Sequence, residues 1–342
     1  MVSASGWRLP VAAGLELHVE DVRPDDDRPP GATAPPGAPH AGVDALREEV
    51  DAPRAGSGVE DGPVVLVHGI AGSTADWAAV APELAASRHV IAYDHRGHGA
   101  SGRAPGGRTD YTFDLLLADL TAVVATLEPA RIHLIGHSLG GVIALRYTLE
   151  HPDRVRSLVL VDTAATPATA TGPIAKRVVA AVLEGVAAIV SRTGANSVNG
   201  RGGAVADGPA DAAESSGSVG AVHDRRNPVE RQVAGLGQAD PDALAALGRE
   251  LGGYPSLVPR LDEITVPTTV IVGERDSMLR SSAQTLAHGI QAAHLAVIAE
   301  ADHSPQVSRP LAWLTAVDHH FARAEAATAG DAPGSAGRHL SG

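Results

Sequence analysis

Residues 132–141 read Ile132-His133-Leu134-Ile135-Gly136-His137-Ser138-Leu139-Gly140-Gly141. The run Ile132 to Ile135 is a strand candidate, and Gly140 to Glu150 reads as a helical segment. Between them lies a G-x-S-x-G pentapeptide in the setting that gives it meaning, a strand entering a tight turn that opens a helix. A residue forced into such a turn needs glycines beside it, because a Cβ there collides with the neighbouring strand or helix. The turn holds the serine oxygen clear of the backbone, and the helix N-terminus beneath it favours developing negative charge. A glycine-rich turn with an incidental serine has the same five letters. The flanking strand and helix favour a nucleophile at Ser138.

Working outward, Leu15 to Glu20 alternates apolar and polar residues, as a half-exposed strand does. Val64 to Val67 is a continuous apolar run, the pattern of a strand buried on both faces. His89 to Tyr93, Leu158 to Val161, Thr268 to Val272 and His294 to Ile298 add further strands. Helical segments at Trp77 to Ala86, Thr112 to Leu127, Gly140 to Glu150 and Ala283 to Gln291 separate most of them. This alternation predicts an α/β fold with a mostly parallel central sheet and helices on both faces. Functional residues in such sheets collect at the carboxyl ends of strands.

A serine hydroxyl needs a base to take its proton and a carboxylate to orient that base. Both stand at strand ends downstream of Ser138. Asp276 follows Val270-Ile271-Val272-Gly273-Glu274-Arg275, and His303 follows Val297-Ile298-Ala299-Glu300-Ala301-Asp302. Asp162, closing Leu158 to Val161, is a rival for the acid, although a strand-end or helix-capping role is the simpler reading.

These pieces resemble the α/β-hydrolase superfamily, in the branch of esterases, non-haem haloperoxidases and meta-cleavage product hydrolases. The resemblance is carried, in order, by Val67-His68-Gly69-Ile70, Asp94 to Ser101, Gly136 to Gly141, Gly273 to Asp276 and Ala301 to Pro305. It implies Ser138 as nucleophile, His303 as base and Asp276 as acid, with an oxyanion hole from the backbone N–H groups of Ile70 and Leu139. It implies hydrolysis of a carboxylic ester of a small to medium apolar substrate through an acyl-enzyme, with no cofactor. Perhydrolysis of the haloperoxidase type, or cleavage of a carbon–carbon bond, thioester or lactone, would use the same triad. A non-catalytic ligand-binding protein of this fold is the alternative from another class. Haloalkane dehalogenases and epoxide hydrolases use an aspartate where Ser138 stands.

The resemblance divides the chain into a first core part (1–162), a helical cap (163–263) inserted before the acid-bearing strand, and a second core part (264–325). Within the cap, Pro173 to Val190 reads as a lid helix, with Ala239 to Leu251 and Leu257 to Leu261 as shorter helical pieces. Asp94 and Arg96 offer charges for a charged substrate group, but an internal ion pair and hydrogen bonds that fix the loop next to the nucleophile are the simpler reading. His95 and His98 have H-x-x-H spacing but no third ligand nearby, so no metal site is expected. His68 and His137 read as packing or hydrogen-bonding neighbours, His319 and His320 as a solvated face, and Val307 to Phe321 as a C-terminal helix on the sheet.

Composition sets the remaining bounds. The 342 residues carry 27 Lys+Arg against 40 Asp+Glu, a formal charge of −13, so a nucleic-acid partner is not expected. The cysteine count is 0, which excludes disulfides, a thiol nucleophile and thiolate metal sites. No stretch reads as a signal peptide or a membrane span, and a cytoplasmic location is the expectation. The 38 glycines and 24 prolines exceed ordinary usage. They concentrate in three stretches of linker composition: 24–61, with nine acids against three bases, 191–222, and the tail 326–342. These read as flexible or disordered. The oligomeric state and the partners beyond a small-molecule substrate are left open by the sequence.

Overall fold

The computed structural model of the protein describes residues 2–24, 62–127, 131–167 and 238–330. The acidic stretch after Pro24, the expected lid helix Pro173 to Val190 and the 191–222 stretch lie outside these residues.

The described chain forms an eight-stranded sheet in the order β1-β2-β4-β3-β5-β6-β7-β8. The strands are β1 (Val2–Ala12), β2 (Leu15–Pro24), β3 (Val64–Val67), β4 (Val90–Tyr93), β5 (Ile132–His137), β6 (Val155–Val161), β7 (Thr268–Gly273) and β8 (His294–Ile298). The first hairpin is antiparallel and joins β4 antiparallel, whereas β4 through β8 run parallel. The side-chain period of two splits each central strand between two helical layers. Val65, Val67, Leu134, Leu158 and Leu160 meet α2 (Phe113–Ala125) and α3 (Leu139–Glu150) on one face. Val64, Leu66, Ile135, Val159 and Ile271 meet Trp77, Trp313, Val317 and Phe321 on the other. The two indoles approach with ring centroids 6.1 Å apart. The continuous apolar runs therefore mean what they were read to mean: strands covered twice.

Shorter α1 (Ala81–Ala85), α4 (Pro241–Leu251), α5 (Arg280–Gly289) and α6 (Pro305–Ser308) complete the helices with α7 (Pro310–Gly330). Five differences from the sequence reading have physical causes. The strand β1 was not anticipated. It lies at the sheet edge and is largely exposed, so its apolar positions Trp7, Leu9 and Val11 are diluted by polar ones. Trp77 to Ala86 is a 3-10 turn (Thr74–Trp77) and then the five-residue α1. The last helix runs to Gly330, so residues 326–330 of the expected tail are helical. Alanine is the best helix former, and an Ala-rich helix end looks like low complexity.

His320 is not solvated but 1% exposed. It falls on the core stripe with Trp313, Val317 and Ala324. Its Nδ1 lies 2.8 Å from Thr269 Oγ1 and its Nε2 2.8 Å from Ser157 Oγ, which in turn pairs with His133 Nδ1 at 2.7 Å. Arg96 does not pair with Asp94. It reaches Asp119 on α2 with two hydrogen bonds of 2.7 and 2.6 Å, and Asp94 instead accepts from the backbone N–H groups of Thr74 and Ala100, both at 2.7 Å. Both residues still fix the 94–101 loop, through separate partners.

The Arg96–Asp119 pair is almost wholly buried, with side-chain exposures of 5% and 1%. Removing one partner leaves a buried unpaired charge, so Asp119→Ala should lose about 3–5 kcal/mol in urea denaturation. A loss below about 1 kcal/mol would place the pair in solvent.

Acid should also unfold the protein early. Burial lowers His68 and His98 to a pKa of about 4 and His137 and His320 to about 3, and holds His95 well below its ordinary value. Unfolded, each takes a proton near pH 6.5. The unfolded state then binds more protons, so stability falls as pH drops from about 6.5 toward 4. His303, Asp119 and Asp162, all raised in the fold, act in the opposite sense but are outnumbered. A melting temperature clearly lower at pH 5 than at pH 7 is expected, and a flat profile would contradict the buried neutral histidines.

Candidate active site

Ser138 occupies the turn between β5 and α3 with φ 52° and ψ −118°. A non-glycine residue there is strained by about 1–3 kcal/mol. The surroundings leave it no alternative. A Cβ on Gly140 would lie 2.3 Å from the Val67 carbonyl oxygen and 2.4 Å from that of His68. One on Gly136 would lie 2.5 Å from the Gly140 oxygen, and one on Gly141 would lie 2.6 Å from the Thr163 side chain. From the β6 side, the Ser138 N–H donates to the Val161 carbonyl at 2.9 Å, and the Thr163 hydroxyl donates to the Ser138 carbonyl at 2.7 Å.

The loops after β7 and β8 bring the other two residues to this serine. His303 Nε2 stands 3.1 Å from Ser138 Oγ, and His303 Nδ1 stands 2.6 Å from Asp276 Oδ2. With Nδ1–H donating to the carboxylate, Nε2 is left to accept the serine proton. Asp276 Oδ1 accepts from the backbone N–H groups of Met278 and Leu279, each at 3.2 Å. Gly273 lets the two loops touch, since a Cβ on it would sit 2.1 Å from the Asp302 carbonyl oxygen. The Arg275 N–H then donates to the Ala301 carbonyl at 2.8 Å. His137 Nε2–H donates to the His303 carbonyl at 2.7 Å, tying the base to β5.

Burial works against charge on His303, but the hydrogen bond and charge of Asp276 outweigh it and raise the imidazole above its ordinary value. Burial likewise opposes the charge on Asp276, and the His303 hydrogen bond and charge overcome that and hold the carboxyl below its ordinary value.

The Ile70 and Leu139 backbone N–H groups have no acceptor among the described residues. Leu139 opens α3, and Ile70 sits in a turn closed by the Gly72 N–H on the Gly69 carbonyl at 3.1 Å. His68 pins that turn. Its Nδ1–H donates to the Gly69 carbonyl at 2.7 Å, and its Nε2 accepts from the His95 backbone N–H at 2.9 Å. Ala71, at φ 60°, turns the chain back, and Ala71 packs with Ala239, Leu244 and Ala245 beside Ile70.

His95 and His98 each spend one ring nitrogen on a backbone carbonyl, of His68 and Arg96, at 3.1 Å. They join no group of three metal donors among the described residues. One such group does occur, Asp162, Asp276 and His303, whose donor atoms lie within 4.8 Å of one another. The Nδ1 of His303 and a carboxylate oxygen of Asp276 are already committed to each other there. Asp162 stands directly behind Asp276, where sequence reasoning had placed a competing acid. No helix among the described residues is long and apolar enough to cross a membrane.

A family profile described as the alpha/beta hydrolase fold matches residues 62–310. A 2-hydroxymuconate semialdehyde hydrolase of Pseudomonas sp. (strain CF600) is 42% identical over 105 residues, covering 30% of this chain and 36% of that protein. A fluoroacetate dehalogenase of Burkholderia sp. is 38% identical over 101 residues, covering 29% and 33% respectively. The matched stretch therefore spans about a third of the length of these curated relatives. The crystal structure of a hydrolase from Pseudomonas aeruginosa PA01 superposes with a TM-score of 0.62 at 26% identity, over 92% of this chain and 98% of that one. With most of its length matched by the family profile and its strand order and loop sites as described, this chain belongs to the alpha/beta hydrolase fold family.

Proposed function

We propose that the protein is a serine hydrolase that cleaves a carboxylic ester of a small to medium apolar substrate through an acyl-enzyme. One observation carries this reading: Ser138, His303 and Asp276 form an unbroken hydrogen-bonded line, and the Ile70 and Leu139 backbone N–H groups have no acceptor among the described residues. Ser138 Oγ attacks the ester carbonyl carbon while its proton passes to His303 Nε2. The carbonyl oxygen becomes an oxyanion that accepts from the Ile70 and Leu139 N–H groups, each worth roughly 3 kcal/mol. Collapse expels the alcohol, which takes the proton from His303. Water then attacks the acyl-enzyme, giving its proton to His303, and the acid departs as Ser138 regains it. Asp276 stays ionised throughout and supports the imidazolium.

The aliphatic wall of Ile70, Ala71, Leu244 and Ala245 supports an apolar group beside the oxyanion loop. The aliphatic character of these side chains favours a neutral acyl or alcohol moiety over a charged one.

A p-nitrophenyl ester series tests the reading. The wild type should turn over short and medium esters, with Ser138→Ala and Asp276→Asn lower by about 10⁴-fold or more. Equal rates in Ser138→Ala would overturn it. Because His303 must be neutral to act as base and is raised, kcat/KM should fall about tenfold per pH unit below an acid limb above pH 6.5. Ile70→Ala keeps the backbone donor while widening the wall, and should shift the preferred acyl length upward.

A further inference from the structure

Asp162 is a buried acid that the proposed ester chemistry does not use. It is 0% exposed and sits at the end of β6 with φ 41°. Its backbone N–H donates to the Ile271 carbonyl at 2.9 Å, and its Oδ1 accepts from the Gly273 N–H at 3.0 Å. Its Oδ2 is buried and meets no donor among the described residues. The acid beside it is Asp276: a carboxyl oxygen of each, with a His303 ring nitrogen, lie within 4.8 Å of one another. Two carboxylates cannot hydrogen-bond each other, since an ionised carboxyl only accepts. A proton between them resolves the contact, and one of the pair must carry it.

The neighbours decide which. Asp276 already accepts from His303 Nδ1–H and from the Met278 and Leu279 N–H groups. Four acceptor sites with three donors make it the natural anion. Asp162 has one backbone donor and no solvent. We propose that Asp162 is a neutral carboxylic acid whose O–H donates to Asp276, so that a carboxylic acid–carboxylate pair, rather than one aspartate, orients His303. Asp162 is thus a positioning residue, and this role rests on the Ser138–His303–Asp276 reading.

Burial raises Asp162 to a pKa of about 8, with the Asp276 charge adding to the effect and the Gly273 N–H and His303 opposing it. The groups facing this pair are Asp276 from the loop after β7, His303 and Asp302 from the loop after β8, and His137 at the end of β5. Of these only His303 can be cationic, because burial lowers His137 to about 3. Below pH 8 the Asp162–Asp276 pair therefore carries one negative charge behind the base, beside that of Asp302. Above it the Asp162 proton is lost, the pair becomes two repelling carboxylates, and the hydrogen bond that aligns Asp276 disappears.

The test compares Asp162→Asn and Asp162→Ala in the full chain. Asparagine reproduces the protonated acid, accepting from Gly273 through its oxygen and donating to Asp276 through its amide. The readout is the rate at which a fluorophosphonate modifies Ser138, followed by intact mass between pH 6 and 9.5, which requires no knowledge of the natural ester. Asp162→Asn should react within about threefold of the wild type at pH 7, and should lack the fall in rate that the wild type shows near pH 8. Asp162→Ala should be slower by about tenfold or more, the scale of one lost hydrogen bond to a charged group. Infrared spectroscopy supplies a measure independent of activity. The wild type should show a carboxylic-acid C=O band at pH 7 that fades through pH 8 and is missing in Asp162→Asn.

A wild-type spectrum without that band would overturn the proposal, as would an Asp162→Asn enzyme that keeps the alkaline fall. Should Asp162→Ala fail to fold, the comparison of Asp162→Asn with wild type remains decisive. Failure of the triad reading looks different: Ser138→Ala would still be modified by the fluorophosphonate at the wild-type rate.

Discussion

The close approach of β3, β5 and α3 around Gly136 and Gly140 is the constraint on which the rest of the site depends. At Gly140 the helix backbone lies against the Val67 and His68 carbonyls, with no room for a side chain. That contact fixes two things together. It forces Ser138 into the left-handed region, where its Oγ projects from the end of the sheet. It also sets the height of the chain leaving β3, whose Ile70 N–H follows two residues after the touched His68 carbonyl. Ser138 and the Ile70 N–H are therefore positioned by one packing contact, and the strain at Ser138 is offset by the doubly covered sheet beneath it.

Charge is rationed around this point. Five histidines are held neutral by burial, three of them, His68, His95 and His98, within 6.2 Å of one another by ring centroid. Neutral rings donate to and accept from the backbone without bringing a cation next to His303, which would depress its basicity. Arg96, the nearby permanent cation, is neutralised by Asp119 on α2. The carboxyl groups that act on the His303 imidazole are those of Asp276, Asp162 and Asp302. In the proposed arrangement, a proton on Asp162 keeps the charge of the Asp162–Asp276 pair at one.

The parallel strands and the elbow were legible because both are written in contiguous residues: apolar runs buried on two faces, and glycines at sites where a Cβ has no space. The order Ser138, Asp276, His303 was legible for the same reason, each following a strand that the pattern had already located. Other features depend on residues far apart in sequence. The partner of Arg96 is Asp119, 23 positions on, and nothing local prefers it to Asp94. His320 looked polar beside His319, although helical spacing from Trp313 and Val317 put it on the buried stripe. Asp162 was legible as an acid at a strand end but not as an acid facing another acid, which only the adjacency of β6 and β7 creates.

The same logic separates chemistry from selection. The proposed reacting groups stand in loops at strand ends and on backbone N–H groups of the core. The wall proposed beside the oxyanion loop rests on α4, which belongs to the segment between β6 and β7 and is anchored to the core. The Asp240 N–H donates to the Gly97 carbonyl at 2.7 Å, Tyr111 O–H donates to Asp240 at 2.7 Å, and Glu250 accepts from the Phe113 N–H at 3.0 Å. Tyr254 then reaches the Ala164 and Thr166 carbonyls at 2.9 and 2.6 Å. These contacts hold both ends of α4 against the loop that carries Arg96 and the first turn of α2. Leu244 and Ala245 are thus presented to Ile70 and Ala71 by a helix hydrogen-bonded to the core at both ends.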